Sequence, residues 1–404
     1  MHFFWAVFLQ AGCEWLLHML AGVRRLLLLV SSIIFVDAML FTALTPLIPG
    51  YAHEFGLSKA QAGLLVGAFG AGALLGGIPG GVIAARLGPK RAVAGGLVLL
   101  GLSSFAFAAA DTAFLLGVAR FVQGLSSTTT WAGALGWIAV ASRRDQRGQV
   151  LGIVFGAAVA GAVLGPMFGG VADAVGIRLS FILVGAVALG FAALASVAEG
   201  IREEPASTGS LRRALRDPRF IGGLWLNALP ALLFGILVVL APLALDRRGW
   251  SPLSIALVFF AAGGIEVVIN PLLGRASDRV GPLLPTRVAL CTSVVVAAAL
   301  AAASQPVLIA VLVTAAGISF GGFYTPGMAL TSHRAEAAGV PQGVAFGIMN
   351  SAWALGNVTG PTAGGALAES FGDAVPYIGG AALCALTLVA TLRFAPGRTR
   401  ARAA

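Results

Sequence analysis

Twelve blocks of strongly apolar sequence, most of about 20 residues and nearly free of charge, constrain this chain more than any other feature. At 1.5 Å of rise per residue, such a block crosses the roughly 30 Å hydrocarbon layer of a bilayer as an α-helix. A helix also satisfies its own backbone polar groups, which an irregular chain in lipid cannot do. The gaps between blocks place spans near 26–50, 60–83, 92–110, 113–140, 148–171, 177–196, 219–245, 252–274, 286–303, 307–332, 342–366 and 374–396. Of the 404 residues, 58% are hydrophobic and 10% charged, against roughly 25% charged in an average soluble domain. Lipid is therefore the solvent, and the expected class is an all-α integral membrane protein with twelve transmembrane helices.

An even number of spans puts both termini on one side. The net charge of +10 would by itself suggest nucleic acid, but its distribution has another explanation. Of the 26 Lys and Arg residues, 21 lie at the termini or in even-numbered loops, including Arg24, Arg25, Arg86, Lys90, Arg91, Arg143, Arg144, Arg147, Arg212, Arg213, Arg216, Arg275, Arg279, Arg398 and Arg400. Only Lys59, Arg178, Arg247 and Arg248 lie in odd-numbered loops, and Arg120 falls inside a span. The positive-inside rule then makes the even loops and both termini cytoplasmic, in a multi-pass cytoplasmic (inner) membrane protein. Tyr51, Trp250 and Tyr377 fall near outer span ends, where an amphipathic ring suits the headgroup layer. Cys13, Cys291 and Cys384 are scattered without metal-like spacing, so no metal site or disulfide framework is expected. Residues 1–22 are apolar but contain Glu14 and lack the basic start of a signal peptide. They read either as an over-long start, with the native chain beginning near Met19 or Val23, or as a helix lying in the membrane interface.

The second organising signal is internal repetition. GGVIAARLGPKR, from Gly80 to Arg91, precedes the third span, and LGRASDRVGP, from Leu273 to Pro282, precedes the ninth. Aligning Gly81 with Gly274 gives an offset of 193. GAVLGPMFGG, from Gly161 to Gly170, lies in the fifth span, and GNVTGPTAGG, from Gly356 to Gly365, lies in the eleventh at an offset of 195. Two pattern pairs at nearly one offset imply a duplicated six-span unit. The organisation is a 1–22 extension, a first six-helix bundle over 23–196, a cytoplasmic linker over 197–218, a second bundle over 219–396 and a basic tail over 397–404.

At these residues the chain resembles the major facilitator superfamily. Gly274, Asp278, Arg279 and Gly281 meet the family's loop pattern, while the first copy keeps Gly81, Arg86 and Gly88 but has Ala85 in place of the acid. Gly161, Gly165, Pro166, Gly169 and Gly170 meet the fifth-span pattern in full, and Arg120 and Gly124 match the fourth-span arginine motif. The resemblance implies two pseudo-symmetric bundles and alternating access. It also implies a gating latch built on Asp278, with a weaker counterpart at Ala85. The glycine face, repeated through Gly356, Gly360, Pro361, Gly364 and Gly365, has two readings. Small residues every fourth position let another helix approach closely, and the family's proton antiporters carry the same pattern as a hinge between halves.

An ionisable side chain deep in a membrane costs several kcal/mol unless paired or wet, so each is a functional candidate. Asp37 lies near the middle of span one, Arg120 about 8 residues, or roughly 12 Å, inside span four, and Glu266 in span eight near Asn270. Asp37 and Arg120 read either as a structural ion pair or as a proton or cation site tuned by burial against Arg120. The segment FVDAMLFTALTPLIP resembles span one of the vesicular amine and bacterial multidrug exporter branch, which implies proton coupling at Asp37. The further acids of the amine-vesicle relatives are absent from spans ten and eleven, which argues against a strongly cationic substrate. Glu266 reads as a residue reaching for the inner surface or as a second proton or substrate site. Trp131, Trp137, Asn227, Tyr324, Asn350 and Trp353 are candidates for lining an organic-ligand cavity.

Neither a Walker loop nor a metal-spaced cluster among His2, His18, His53 and His333 supports an enzyme. The expected function is secondary active, proton-coupled export of a small drug-like or metabolic compound, powered by the proton gradient without a cofactor. The alternative is proton-coupled or facilitated uptake of a sugar, organic acid or other nutrient. The expected partners are the substrate, protons and the lipid bilayer, not nucleic acid, and the expected state is a monomer.

Overall fold

The computed structural model describes residues 24–143, 146–198, 211–281, 283–340 and 342–392. The extension over 1–22, most of the linker and the basic tail lie outside the described residues, as do the side chains of Asn270, Arg212 and Asp278 and the surroundings of Gly274. Among the described residues, twelve long helices follow one another: α1 (Arg24–Phe55, interrupted at Thr45–Leu47), α2 (Lys59–Leu87), α3 (Pro89–Ala109), α4 (Ala113–Ala141), α5 (Arg147–Val175), α6 (Ile177–Val197), α7 (Pro218–Asp246), α8 (Pro252–Val280), α9 (Leu283–Ala302), α10 (Pro306–Ala337, interrupted after Gly321), α11 (Gln342–Phe371) and α12 (Ala374–Leu392). Every span read from the sequence is a helix. Among the described residues, ten helices are long and apolar enough to cross a membrane by length and composition. The other two, α4 and α11, carry the polar runs around Arg120 and Asn350.

Helix ends follow local chemistry. Ser58 caps α2 by accepting from the Gln61 amide, and the Gln61 side chain returns a bond to the Ser58 amide. Ser251 caps α8 and Thr112 caps α4 by accepting from the Ser254 and Leu115 amides. The residues of the loop motifs are largely helical. Gly81 and Arg86 lie inside the last turns of α2, and Gly274 and Arg279 inside α8. Only Gly88 (φ 91°) and Gly281 (φ 82°), one per half, make the turns, at backbone angles that favour glycine.

The duplication seen in the sequence is repeated in the packing. α5 lies on α1, α4 on α2 and α3, and α6 on α3; correspondingly α11 lies on α7, α10 on α8 and α9, and α12 on α9. The glycine ladders set the first of these contacts. Gly161, Gly165 and Gly169 face Phe35, Met39 and Ala43 so closely that a Cβ at any of them would strike the α1 backbone or Thr42. Gly356, Gly360 and Gly364 face Ala228, Leu232 and Ile236 in the same relation. Each α1 residue and its α7 counterpart are 193 positions apart. The ladder therefore packs helices within a bundle. Its neighbours make the contacts between bundles: Gly170 meets Leu253 and Ala256 of α8, while Gly365 meets Lys59 and Ala60 of α2. Large apolar side chains such as Ile78, Phe114 and Val197 are exposed on the outer surface, as a lipid-facing wall requires. Tyr51 and Tyr377 do not form an interfacial belt. Both are buried, with Tyr51 stacked on Phe55 and edge-on to Phe107.

Candidate functional site

Four polar or aromatic residues of α4, Arg120, Gln123, Ser127 and Trp131, are spaced three or four apart and so share one helical face. Asp37 of α1 meets this stripe. It is 3% exposed, and its Oδ2 accepts hydrogen bonds from Ser127 Oγ at 2.7 Å and from Trp131 Nε1 at 2.8 Å. Its other oxygen, Oδ1, is buried without a hydrogen-bond partner. A buried carboxylate oxygen that lacks a donor is an unusual expense in a folded protein, and it leaves a position where a proton can sit.

Arg120 does not form an ion pair with Asp37, one of the two readings open from the sequence. Its Nη1 donates to the Leu40 carbonyl at 3.2 Å and to Gln123 Oε1 at 3.0 Å, and its Nη2 donates to the Phe41 carbonyl at 3.1 Å. The reason lies in the backbone of α1. The helix breaks after Ala43 into a short 3-10 turn over Thr45–Leu47, so its last carbonyls lie at a helix end where intrahelical donors run short. A cation at this negative end of the helix supplies them. The guanidinium also lies 4.8 Å from the centroid of the Phe69 ring, a cation–π contact. Arg120 is therefore a buried cap on the α1 break, and its charge acts on Asp37 from nearby.

Aromatic rings extend the site across the seam between bundles. Phe41 lies 5.0 Å from Phe69 and 5.1 Å from Trp353 of α11. On the other side of Asp37, Trp131 lies 5.9 Å from Phe155 of α5, which lies 6.1 Å from Phe346 of α11. Of the expected cavity residues, Trp131 and Trp353 fall within this ring system. Trp137 does not, because it is fully buried in the core of the first bundle. Asn227 is buried and donates to the Gly223 carbonyl of its own helix at 2.8 Å, and Asn350 is exposed on α11. Glu266 stays inside the second bundle, its carboxyl against Gly321 at the break in α10 and in electrostatic contact with Tyr324 just beyond that break. Gln123, Ser127, Phe41, Phe69, Phe155 and Phe346 were not singled out from sequence. The periodic stripe on α4 was the available signal for the first two.

The end of the molecule formed by the odd-numbered loops is tied shut across the bundles. His53 Nε2 lies 2.8 Å from Asp246 Oδ2, and these residues are 193 positions apart, so they are repeat equivalents meeting across the pseudo-twofold axis. Asp373 joins Lys59 of the first bundle to Arg247 of the second at 2.5 and 2.6 Å. The Glu369 carboxylate accepts from the Ala60 amide at 2.9 Å. The Ser58 hydroxyl, that amide and the nearby Lys59 hold its carboxyl below the usual range.

Two six-helix bundles related by a pseudo-twofold, with a buried carboxylate near the seam and one end closed, define a membrane transporter of the alternating-access kind. The sequence matches the Major Facilitator Superfamily over residues 30–345, and the chain belongs to that family. Its members are transporters, not enzymes. The chain is 26% identical over 359 residues to Multidrug resistance protein 2 of Bacillus subtilis (strain 168), covering 85% of this chain and 89% of that protein. It is 27% identical over 357 residues to Quinolone resistance protein NorA of Staphylococcus aureus (strain MSSA476), covering 85% and 90%. Among solved structures, a bacterial homologue of the human lysosomal transporter Spinster, inward-facing and occupied, superposes with a TM-score of 0.75 at 17% identity, covering 92% of this chain and 96% of that one. The nucleoside transporter NupG superposes with a TM-score of 0.71 at 14% identity, covering 91% and 98%. These structural likenesses establish the fold.

Proposed function

We propose that this protein exports small aromatic, drug-like compounds in exchange for protons, with Asp37 as the coupling carboxylate. The observation that carries the reading is the geometry of Asp37. It is buried within the first bundle, held by two neutral donors and not neutralised by direct pairing with Arg120. One of its oxygens is free to take a proton. The similarity to multidrug and quinolone resistance proteins supports efflux. The rings of Phe41, Phe155, Phe346 and Trp353 around the seam suit a flat aromatic ligand better than a sugar. Glu266, beside the α10 break and Tyr324, is the second candidate acid. In this reading the even-numbered loops face the cytoplasm, so the ion pairs at the odd-loop end close the outer side.

The test is transport into inside-out proteoliposomes with an imposed pH gradient, using a fluorescent quinolone, ethidium, glucose and lactate as separate probes. Gradient-driven accumulation of the aromatic probes supports export, whereas movement of glucose or lactate alone refutes it. Orientation is checked in intact cells with an impermeant thiol reagent. A cysteine near Lys59 or Asp246 reacts and one near Arg144 or Arg212 does not; the reverse pattern contradicts the charge-based topology.

A further inference from the structure

We propose that Trp131 is a positioning residue that carries the movement of the two bundles to Asp37 through the rings of Phe155 and Phe346. The inference rests on Asp37 being the coupling carboxylate and deepens that reading. Trp131 belongs to two networks at once. Its indole N–H donates to Asp37 Oδ2 at 2.8 Å, and its ring lies 5.9 Å from Phe155, tilted by 46°. Phe155 meets Phe346 of the opposite bundle at 6.1 Å and 39°. Phe155 is eight residues from the first residue of α5 and Phe346 four from that of α11, about 12 and 6 Å along their helices from the even-loop end. The rings therefore cross the seam on the side of Asp37 opposite the ion-paired end.

When the odd-loop end opens, alternating access brings the even-loop ends together. Phe346 then moves toward Phe155, and Phe155 toward the indole. A displacement of the indole by about an ångström takes a 2.8 Å hydrogen bond past its useful range. A carboxylate that accepts a hydrogen bond is favoured in its charged form, and loss of the donor favours the protonated form. Asp37 then takes a proton from water at the odd-loop end while that end is open. It releases the proton toward the even-loop end once Trp131 has returned. The bond formed and broken is the carboxyl O–H, and no other reactant is needed. The charged group acting on Asp37 from the surrounding helices is Arg120 of α4, and its contacts with the Leu40 and Phe41 carbonyls do not pass through the rings.

The experiment reads conformation without a substrate. Spin labels at Leu87 and Val280, exposed repeat equivalents at the even-loop ends of α2 and α8, report the separation of the bundles in nanodiscs between about pH 5 and pH 8. In the otherwise native protein, acidification raises the short-distance population, and Asp37→Asn abolishes this response. Trp131→Phe keeps a ring and removes the N–H, and Phe346→Leu leaves the N–H and removes the far end of the chain. Each reduces the pH-driven change in the population ratio by roughly tenfold, the scale of one hydrogen bond to a charged group. A native-like response in either variant overturns the relay while leaving the Asp37 reading standing. A flat response in the native protein, or a native response in Asp37→Asn, overturns the coupling role of Asp37 and the relay with it.

Discussion

Asp373 is the point at which the odd-loop end can be unlocked by one atom. The Asp373→Asn variant keeps the shape of the side chain and removes the charge that Lys59 and Arg247 share. Asp373 is 36% exposed, Lys59 30% and Arg247 45%, so neither pair has the strength of a buried one. An exposed ion pair contributes roughly 0.2–1 kcal/mol, and the Arg247 pair lies within the second bundle, where it orients Asp373 without itself bridging the seam. Loss of the Lys59 bridge together with part of the orienting effect amounts to about 1 kcal/mol, or a roughly fivefold change in the ratio of closed to open forms. Spin labels at Phe114 and Phe371, both strongly exposed near the odd-loop end of opposite bundles, measure that ratio directly. The variant is expected to gain a longer-distance population, and the difference from the native protein should shrink in high salt as the native ion pairs are screened. An identical distance distribution for Asp373→Asn and the native protein at low salt would show that the Asp373 pairs do not hold the seam, and would refute the latch.

Gly165→Leu forces a side chain into the Met39 carbonyl and Thr42 and is expected to cost about 1–3 kcal/mol, seen as a lower unfolding temperature in detergent. Gly156→Ala, in open space on the same helix, should change stability by less than about 0.5 kcal/mol; equal losses in the two variants would contradict the ladder packing. Because Ala85 already lacks the acid of the repeated loop motif, Asp278→Asn is expected to shift the conformational balance more than Ala85→Asp does. Unchanged cysteine accessibility at both ends of Asp278→Asn would remove Asp278 from the switch.

The spans were legible because lipid imposes length and excludes charge, two properties visible in single residues. Their even-loop ends were not. α2, α8 and α10 each continue for about a turn or more beyond their apolar blocks, because the turns carrying Arg86, Arg279 and Arg334 remain helical where charge had suggested a loop. The glycine ladder announced close packing through its four-residue spacing, but spacing says nothing of which helix is approached. The partner proved to be the neighbouring helix of the same bundle, with Gly170 and Gly365 turned to the other. Arg120 was legible as an anomaly. Its partners were not, because they are backbone carbonyls at the end of the first segment of α1, and backbone groups leave no mark in sequence. Asp37 was read from its depth and from the resemblance of its segment to exporters, whereas the Ser127 and Trp131 donors were present in the periodicity of α4. The rings that join the bundles come from helices far apart in sequence, and only the tertiary structure brings them together.

The most direct measurement of the central claim is accumulation of a fluorescent quinolone by proteoliposomes under an imposed pH gradient, made with the native protein and with Asp37→Asn. The substitution retains size and a hydrogen-bond acceptor for Ser127 and Trp131 while removing the group that binds the proton. Native protein should concentrate the probe against its gradient. The variant, still inserted and still exchanging probe down a gradient, should equilibrate without concentrating it and should release no proton when the probe binds in weak buffer. Accumulation by Asp37→Asn to the native level would contradict the claim, leaving Asp37 as a structural acceptor for α4 and moving the coupling site to Glu266.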